Sequence, residues 1–284
     1  MNRPPQGIES EPGQRHRAIT YIAVETSAHC NRACHFCPTN NTVFPPKEFM
    51  PEEFFRHIVA DLKSWGYAGG FSLYGHNEAL LDKRIVELTS YVRDELPSVH
   101  QSLSTNGDRL TLELAVALFE AGLRTMLVNC YDDRQNLIER MLAIARHLET
   151  LPDYHIHYVG SDARAFPMYY HATERTFTLY DARKYGEGFP GISSRAGNVA
   201  GFLTLAEPLS QNCERPWTHV HIKYNGNVIL CCQDWGQEVV LGNVREQSLA
   251  DIYNGPLAEH YREKLGERDR RGLKLCERCD WGND

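Results

Sequence analysis

The sequence predicts an α/β protein: a partial, TIM-like (β/α)6 barrel followed by a small C-terminal module made of a β-hairpin and a helix. Three observations predict it. Short apolar β-type runs alternate with amphipathic helical stretches at about 25–30 residues per unit, the signature of a parallel sheet flanked by helices. Five or six such units fall short of an eight-fold barrel, so an open barrel fits better. After about Tyr185 the alternation stops at a glycine-rich stretch, Gly186–Gly201, and a different pattern takes over.

In chain order, residues 1–19 read as a polar tail without the apolar core of a signal peptide. Apolar runs at Tyr21–Val24, Gly70–Leu73, His100–Leu103, Thr125–Val128 and His155–Val159 predict strands. The stretches Glu52–Trp65, Lys83–Leu96, Thr111–Ala121 and Arg134–Thr150 between them have the length and apolar spacing of helices. The barrel is expected over 20–204, with a crossover linker at about 186–204, and the second module over 205–284. There His219–Cys232 (HVHIKYNGNVILCC) carries Asn225-Gly226 between two apolar runs, which predicts a two-residue hairpin loop. A helical stretch from Ser248 to Lys264, interrupted near Gly255-Pro256, leads to a terminal CxxC.

Composition excludes several function classes. The 284 residues carry a net charge of −7, which argues against nucleic acid as a partner. The basic run Arg268, Arg270, Arg271, Lys274 reads as a solvated helix end. No apolar run approaches the roughly 20 residues that span a bilayer, so no membrane partner is expected and the location reads as cytoplasmic. In a reducing compartment nine cysteines seldom form disulfides, and their clustering points to metal or catalysis.

Cys30-x3-Cys34-x2-Cys37 follows the first predicted strand. Three thiolates close in sequence can wrap one face of a metal centre and leave one position open, and soft thiolates select zinc or iron–sulfur clusters. His29 and His35 raise a structural-zinc alternative, although His35 sits where its ring points away from the site. Cys30-Asn31-Arg32-Ala33-Cys34-His35-Phe36-Cys37 resembles the CxxxCxΦC signature of the radical S-adenosylmethionine (SAM) superfamily. The resemblance implies a [4Fe–4S] cluster on Cys30, Cys34 and Cys37 whose fourth iron chelates SAM. One-electron cleavage of SAM then gives methionine and a 5′-deoxyadenosyl radical. Gly75-His76-Asn77-Glu78 is similar to the family's glycine–glutamate motif, with Asn77 where a glycine is usual. Ser104-Thr105-Asn106-Gly107 resembles its segment near the SAM ribose. Gly75, His76, Asn77, Glu78, Ser104, Thr105 and Asn106, with Phe36 and Asn129, form the expected cofactor-binding set.

Cys213, Cys231, Cys276 and Cys279 could enclose a second metal completely, and on bare chemistry a structural zinc satisfies them as well as a cluster does. Cys-x12-Gly-x4-Cys followed by a distant CxxC resembles the SPASM module and its truncated form, twitch. That implies one fully ligated auxiliary [4Fe–4S] cluster and a likeness to twitch-bearing aminocyclitol dehydrogenases.

The spare thiols are Cys130 and Cys232. Each is read either as a buried small hydrophobe or as a hydrogen-atom donor, with Cys130 at a strand end expected to face the site. Tyr74, His76, Tyr131, Asp132 and Arg195 are candidate pocket residues, and Tyr131, Asp132 and Arg195 join the two thiols as catalytic candidates. The favoured reading is oxidation of a small polar, aminosugar- or cyclitol-like substrate, with the auxiliary cluster accepting an electron and a flavodoxin- or ferredoxin-type reductant supplying one. Alternatives are an epimerase using Cys232 or Cys130, a maturase of ribosomal peptides, and a zinc-stabilised binding module without catalysis.

Overall fold

The computed structural model describes residues 19–38, 48–160, 175–183, 193–199, 201 and 205–281. Runs rich in β-branched and aromatic residues form six parallel strands: β1 (Tyr21–Val24), β2 (Gly70–Ser72), β3 (His100–Thr105), β4 (Thr125–Cys130), β5 (Tyr154–Val159) and β6 (Arg175–Asp181). β6, with Phe177 and Leu179 alternating with threonines, is a strand that the sequence reading did not name. It inserts between β4 and β5, so that β5 lies at the sheet edge. That position suits β5, whose His155 and His157 are exposed, whereas all four residues of the central β1 are buried.

Helices α1 (Glu52–Ser64), α2 (Ile85–Glu95), α3 (Leu112–Glu120) and α4 (Leu137–Leu148) follow the first four strands. α1 shows why: Phe55, Ile58, Val59 and Leu62 recur at helical spacing and are all buried against the sheet. Thr111 starts α3 by accepting a hydrogen bond from the Leu114 amide. The expected six β/α units are thus four complete ones among the described residues. Of the expected tail over 1–19 only Ile19 is described, and it is buried in the core; the rest, with much of the crossover linker, lies outside the described residues.

The C-terminal part adds α5 (Arg215–Thr218), β7 (His219–Ile222), β8 (Asn227–Ile229), β9 (Val240–Asn243), α6 (Leu249–Tyr253) and α7 (Pro256–Gly266). β7 pairs in parallel with β1, Tyr21 opposite His219, so one nine-stranded sheet runs from β5 to β9. The helical interruption falls at Gly255-Pro256, where proline opens α7. The hairpin differs in detail from the two-residue loop expected. Gly226 has a left-handed backbone (φ +87) and Asn225 does not, and the Gly226 amide closes a turn onto the Lys223 carbonyl at 2.8 Å. A longer turn ending in a left-handed glycine results, because Lys223 pairs its amide with the Asn227 carbonyl while its side chain turns into the protein.

Two hydrophobic cores follow. The large one lies between the sheet and α1–α4 and includes Phe55, Phe71, Phe119 and Phe177. The smaller one packs Leu230, Val239, Tyr261, Leu265, Leu273 and Leu275 around Cys231, Cys276 and Cys279. Among the described residues no helix is long and apolar enough to cross a membrane.

Candidate functional site

The segments that leave the C-terminal ends of β1–β4 meet around a cavity of about 240 Å³, the edge at which sites of parallel sheets collect. After β1 come Cys30, Cys34, Phe36 and Cys37; after β2, Tyr74, Gly75, His76, Asn77 and Glu78. Ser104, Thr105 and Asn106 come from β3 and its end, and Asn129 and Tyr131 from β4. Arg195 and Trp235 close the wall from the C-terminal part. Every residue of the expected cofactor set is therefore on one cavity. His35 is exposed and is not among the lining residues.

The cysteine loop is fixed from below by Arg32, a residue that the sequence reading passed over. Its buried guanidinium donates to both Asp108 oxygens, at 2.8 and 2.5 Å, and Asn31 donates to the same carboxylate at 2.7 Å. Burial works to raise the Asp108 carboxyl, but Arg32 holds it below its ordinary value. Asp132 stands 3.3 Å from Arg32 and 2.8 Å from Arg134 and does not line the cavity. It is a loop anchor rather than the pocket residue expected. Burial, with the neighbouring thiols adding to it, pushes Cys30 up to about 12 and Cys34 to about 11. Three thiols thus share a small space that binding of metal must deprotonate.

Glu78 organises the next layer. Its carboxylate accepts from the Thr105 hydroxyl (2.7 Å), the Asn106 amide (2.8 Å) and the Leu80 amide (3.2 Å), joining the segment after β2 to the end of β3. Burial raises its pKa, and these three donors work against the rise. A Cβ on Gly75 would meet Glu25 Oε1 at 2.6 Å, so only glycine brings this backbone to the cavity wall. Asn129 donates to Ser104 Oγ at 2.8 Å, while its buried Oδ1 has no hydrogen-bond partner among the described residues. That leaves an acceptor on the wall for a ligand donor.

His76 is the seam between the two halves of the chain. Lys223 Nζ lies 2.7 Å from both Glu25 oxygens and 2.9 Å from His76 Nδ1. The ammonium can only donate, so Nδ1 accepts and Nε2–H donates to the Cys232 carbonyl at 2.8 Å. The ring stacks on Trp235 at 3.8 Å. Burial, then the Lys223 charge, pushes His76 well below the usual imidazole range, so it is neutral and both nitrogens are engaged.

Neither spare thiol lines the cavity: Cys130, expected to face the site, is instead buried as a small hydrophobe, the other reading given for it. Strand alternation sends Asn129 and Tyr131 into the cavity and Cys130 to the other face, among Ile138, Leu142 and Leu179. Cys130 is fully buried, and burial pushes it to about 12. The Cys232 sulfur accepts from Arg215 and lines neither thiol cavity. Arg195, by contrast, does reach the wall. It and Ala196 have left-handed backbones (φ +53 and +55), which side chains with a Cβ disfavour. The C-terminal part holds them there: Arg278 donates to the Ala196 carbonyl at 2.6 Å, and Asp280 accepts from the Ser194 amide.

Cys213, Cys231, Cys276 and Cys279 line a second cavity, enclosed by Pro216, Leu230, Leu265 and Leu275. Burial pushes Cys276 to about 12 and lifts Cys231 and Cys279 as well. Among the described residues no three His, Cys, Asp or Glu side chains converge as the ligands of a single ion would; the four thiols ring an interior space instead. Arg270, expected on a solvated helix end, is 2% exposed and donates to the carbonyls of Gln211, Cys279 and Trp281, tying the terminal turn down. Leu275, left-handed at φ +71 and buried, turns the chain into Cys276. Sequence reading missed Arg32, Lys223, Trp235 and Arg215 and misplaced Arg270, because charged and aromatic side chains carry no periodic signal of burial.

Residues 24–151 match the family model of the radical SAM superfamily, and residues 213–280 match that of SPASM, an iron–sulfur cluster-binding domain. A curated relative, the S-adenosyl-L-methionine-dependent 2-deoxy-scyllo-inosamine dehydrogenase of Niallia circulans, is 24% identical over 266 residues, 93% of this chain and 94% of the relative. A crystal structure of BtrN in complex with AdoMet and 2-DOIA covers 93% of each chain with a TM-score of 0.73 at 21% identity. Selenomethionine BtrN in an open conformation matches with a TM-score of 0.63 at 22% identity, over 93% of this chain and 92% of the other. These structures share the fold seen here.

Proposed function

The chain belongs to the radical SAM superfamily, and from that premise we propose that it is a dehydrogenase of a small, polar, hydroxyl-bearing substrate of the aminosugar or aminocyclitol class. Cys30, Cys34 and Cys37 would hold the SAM-binding [4Fe–4S] cluster and Cys213, Cys231, Cys276 and Cys279 the auxiliary one. When bound, these clusters and SAM supply hydrogen-atom abstraction from an unactivated C–H bond and a one-electron acceptor. The donor sets fit: three half-buried thiols on an open cavity wall leave a corner for a cofactor, and four thiols in an apolar enclosure leave none.

The observation that carries the dehydrogenase over the epimerase is the placement of the spare thiols. Among the described residues no cysteine beyond Cys30, Cys34 and Cys37 lines the cavity. The epimerase reading calls on Cys130 or Cys232 to return the hydrogen atom, and neither is on this wall. His76 has no free nitrogen to act as a base; Tyr74, Tyr131 and Arg195 on the wall would orient the carbinol, and its proton would pass to water. The division near residue 205 is part of the same reading, and the separate small core around the C-terminal thiols supports it. An external one-electron reductant is the remaining partner.

The test is anaerobic turnover with 2-deoxy-scyllo-inosamine or related aminocyclitols, SAM and reductant in heavy water. The expected product is two mass units lighter and carries no carbon-bound deuterium. A product of unchanged connectivity with one carbon-bound deuterium would establish the epimerase instead.

A further inference from the structure

Two side chains in the C-terminal cavity have no role in the account so far. Arg215 lies at the start of α5, two residues after Cys213, with its guanidinium against Cys232 Sγ and 4.5 Å from the Trp281 ring centre. Among the described residues no carboxylate pairs with it. It stands on the wall of the cavity that Cys213, Cys231, Cys276 and Cys279 line. Gln233 is 1% exposed, lines the same cavity, and neither Oε1 nor Nε2 has a hydrogen-bond partner among the described residues. A buried amide with neither end satisfied is rare in a protein interior and points to a group that completes it.

We propose that Arg215 and Gln233 set the reduction potential of the cluster held by the four thiols, raising it so that this site takes an electron from the substrate. The inference rests on the reading of these thiols as auxiliary-cluster ligands. Its physics is general: reduction adds one negative charge, and a fixed cation and an N–H donor near the sulfurs stabilise the reduced form more than the oxidised one. Pro216, Leu230, Leu265 and Leu275 keep the surroundings apolar, so the guanidinium's field is little screened. Arg270, the other cation on this wall, is committed to three backbone carbonyls and serves the turn. Asp234 stands nearby, but its carboxylate accepts from the Glu238 and Val239 amides and it is not on the cavity wall.

In the dehydrogenation, one hydrogen atom leaves the carbinol carbon. The hydroxyl proton then goes to water as the C=O bond forms, and one electron remains to be accepted. Arg215 and Gln233 are positioning residues for that acceptance and touch no substrate.

An EPR-monitored redox titration of the anaerobically reconstituted full chain tests this. Arg215→Gln is expected to weaken electron acceptance at the second cluster at least tenfold, about 59 mV for a one-electron couple. Arg215→Lys keeps the charge and most of the potential. Gln233→Leu shifts it in the same direction by less, and the three-thiol cluster is unmoved in all three. The proposal is overturned if Arg215→Gln retains both clusters at unchanged potentials, or if Arg215→Lys falls as far as Arg215→Gln. Should Arg215→Gln lose iron from this site, Gln233→Leu decides, and an unchanged potential there is fatal. A wild-type chain with only one cluster would instead sink the reading on which this rests.

Discussion

The two cysteine sites offer the same sulfur ligands in opposite surroundings. At the first, Cys30, Cys34 and Cys37 sit half-buried on one loop, beside the Glu78 carboxylate and an open cavity. At the second, four thiols from three separate stretches ring a cavity in a leucine-lined core, with a guanidinium on its wall. The same side-chain type thus stands in two environments that differ in the number of thiols, the access to the cavity and the sign of the nearest fixed charge. The segment around His76, Lys223 and Cys232 joins the sites and keeps them distinct.

Exchanging single thiols gives the largest contrast. Cys34→Ala should abolish 5′-deoxyadenosine formation while iron at the second site is retained. Cys276→Ala should keep SAM cleavage and lose ketone product. Iron content, deoxyadenosine and product measured on both variants check this, and equal losses in the two would erase the distinction drawn here.

Next in size is Arg32→Ala. It strips the buried partner from Asp108 and should destabilise the apoprotein by ~3 kcal/mol, the scale of breaking a buried ion pair. SAM affinity, read by equilibrium dialysis, should fall, while the second cluster keeps its EPR signature. A change at the second site instead would show that the sites are not mechanically separate.

Acid probes the seam. Burial, with the Lys223 charge, depresses His76; burial, with Arg215, takes His219 down to about 4; and burial, with His219 and Arg215, lowers His221 well below the usual imidazole range. These three stay neutral in the folded chain at pH 5.5, whereas unfolded histidine titrates near ~6.5. The unfolded state then binds more protons, so stability falls as pH drops through that value, with a slope of up to ~1.4 kcal/mol per pH unit for each histidine. Urea denaturation at pH 7.5 and 5.5 should show the loss, and His221→Leu should flatten it. A pH-independent midpoint would mean that the seam holds no such histidines.

The smallest effect is expected at Cys130→Ala: ~1 kcal/mol of stability from a lost buried sulfur, with deoxyadenosine and product yields unchanged. Loss of product alone would return Cys130 to the chemistry and reopen the epimerase.

Much of this was legible in the chain itself. The strand–helix alternation, the CxxxCxxC loop, the Glu78 and Asn106 segments, the break at Gly255-Pro256 and the terminal CxxC are local patterns, and local spacing is what a sequence displays. Which way a side chain points at a strand end is also local, yet β4 shows how one residue of register reverses the reading, since Asn129 turned inward and Cys130 did not. The insertion of β6 between β4 and β5, the pairing of β7 with β1, and the burial of Arg32, Lys223 and Arg270 were decided only in three dimensions. Their partners lie tens to hundreds of residues away, Lys223 and Glu25 being 198 apart. A buried charge is favourable only once such partners have been gathered around it.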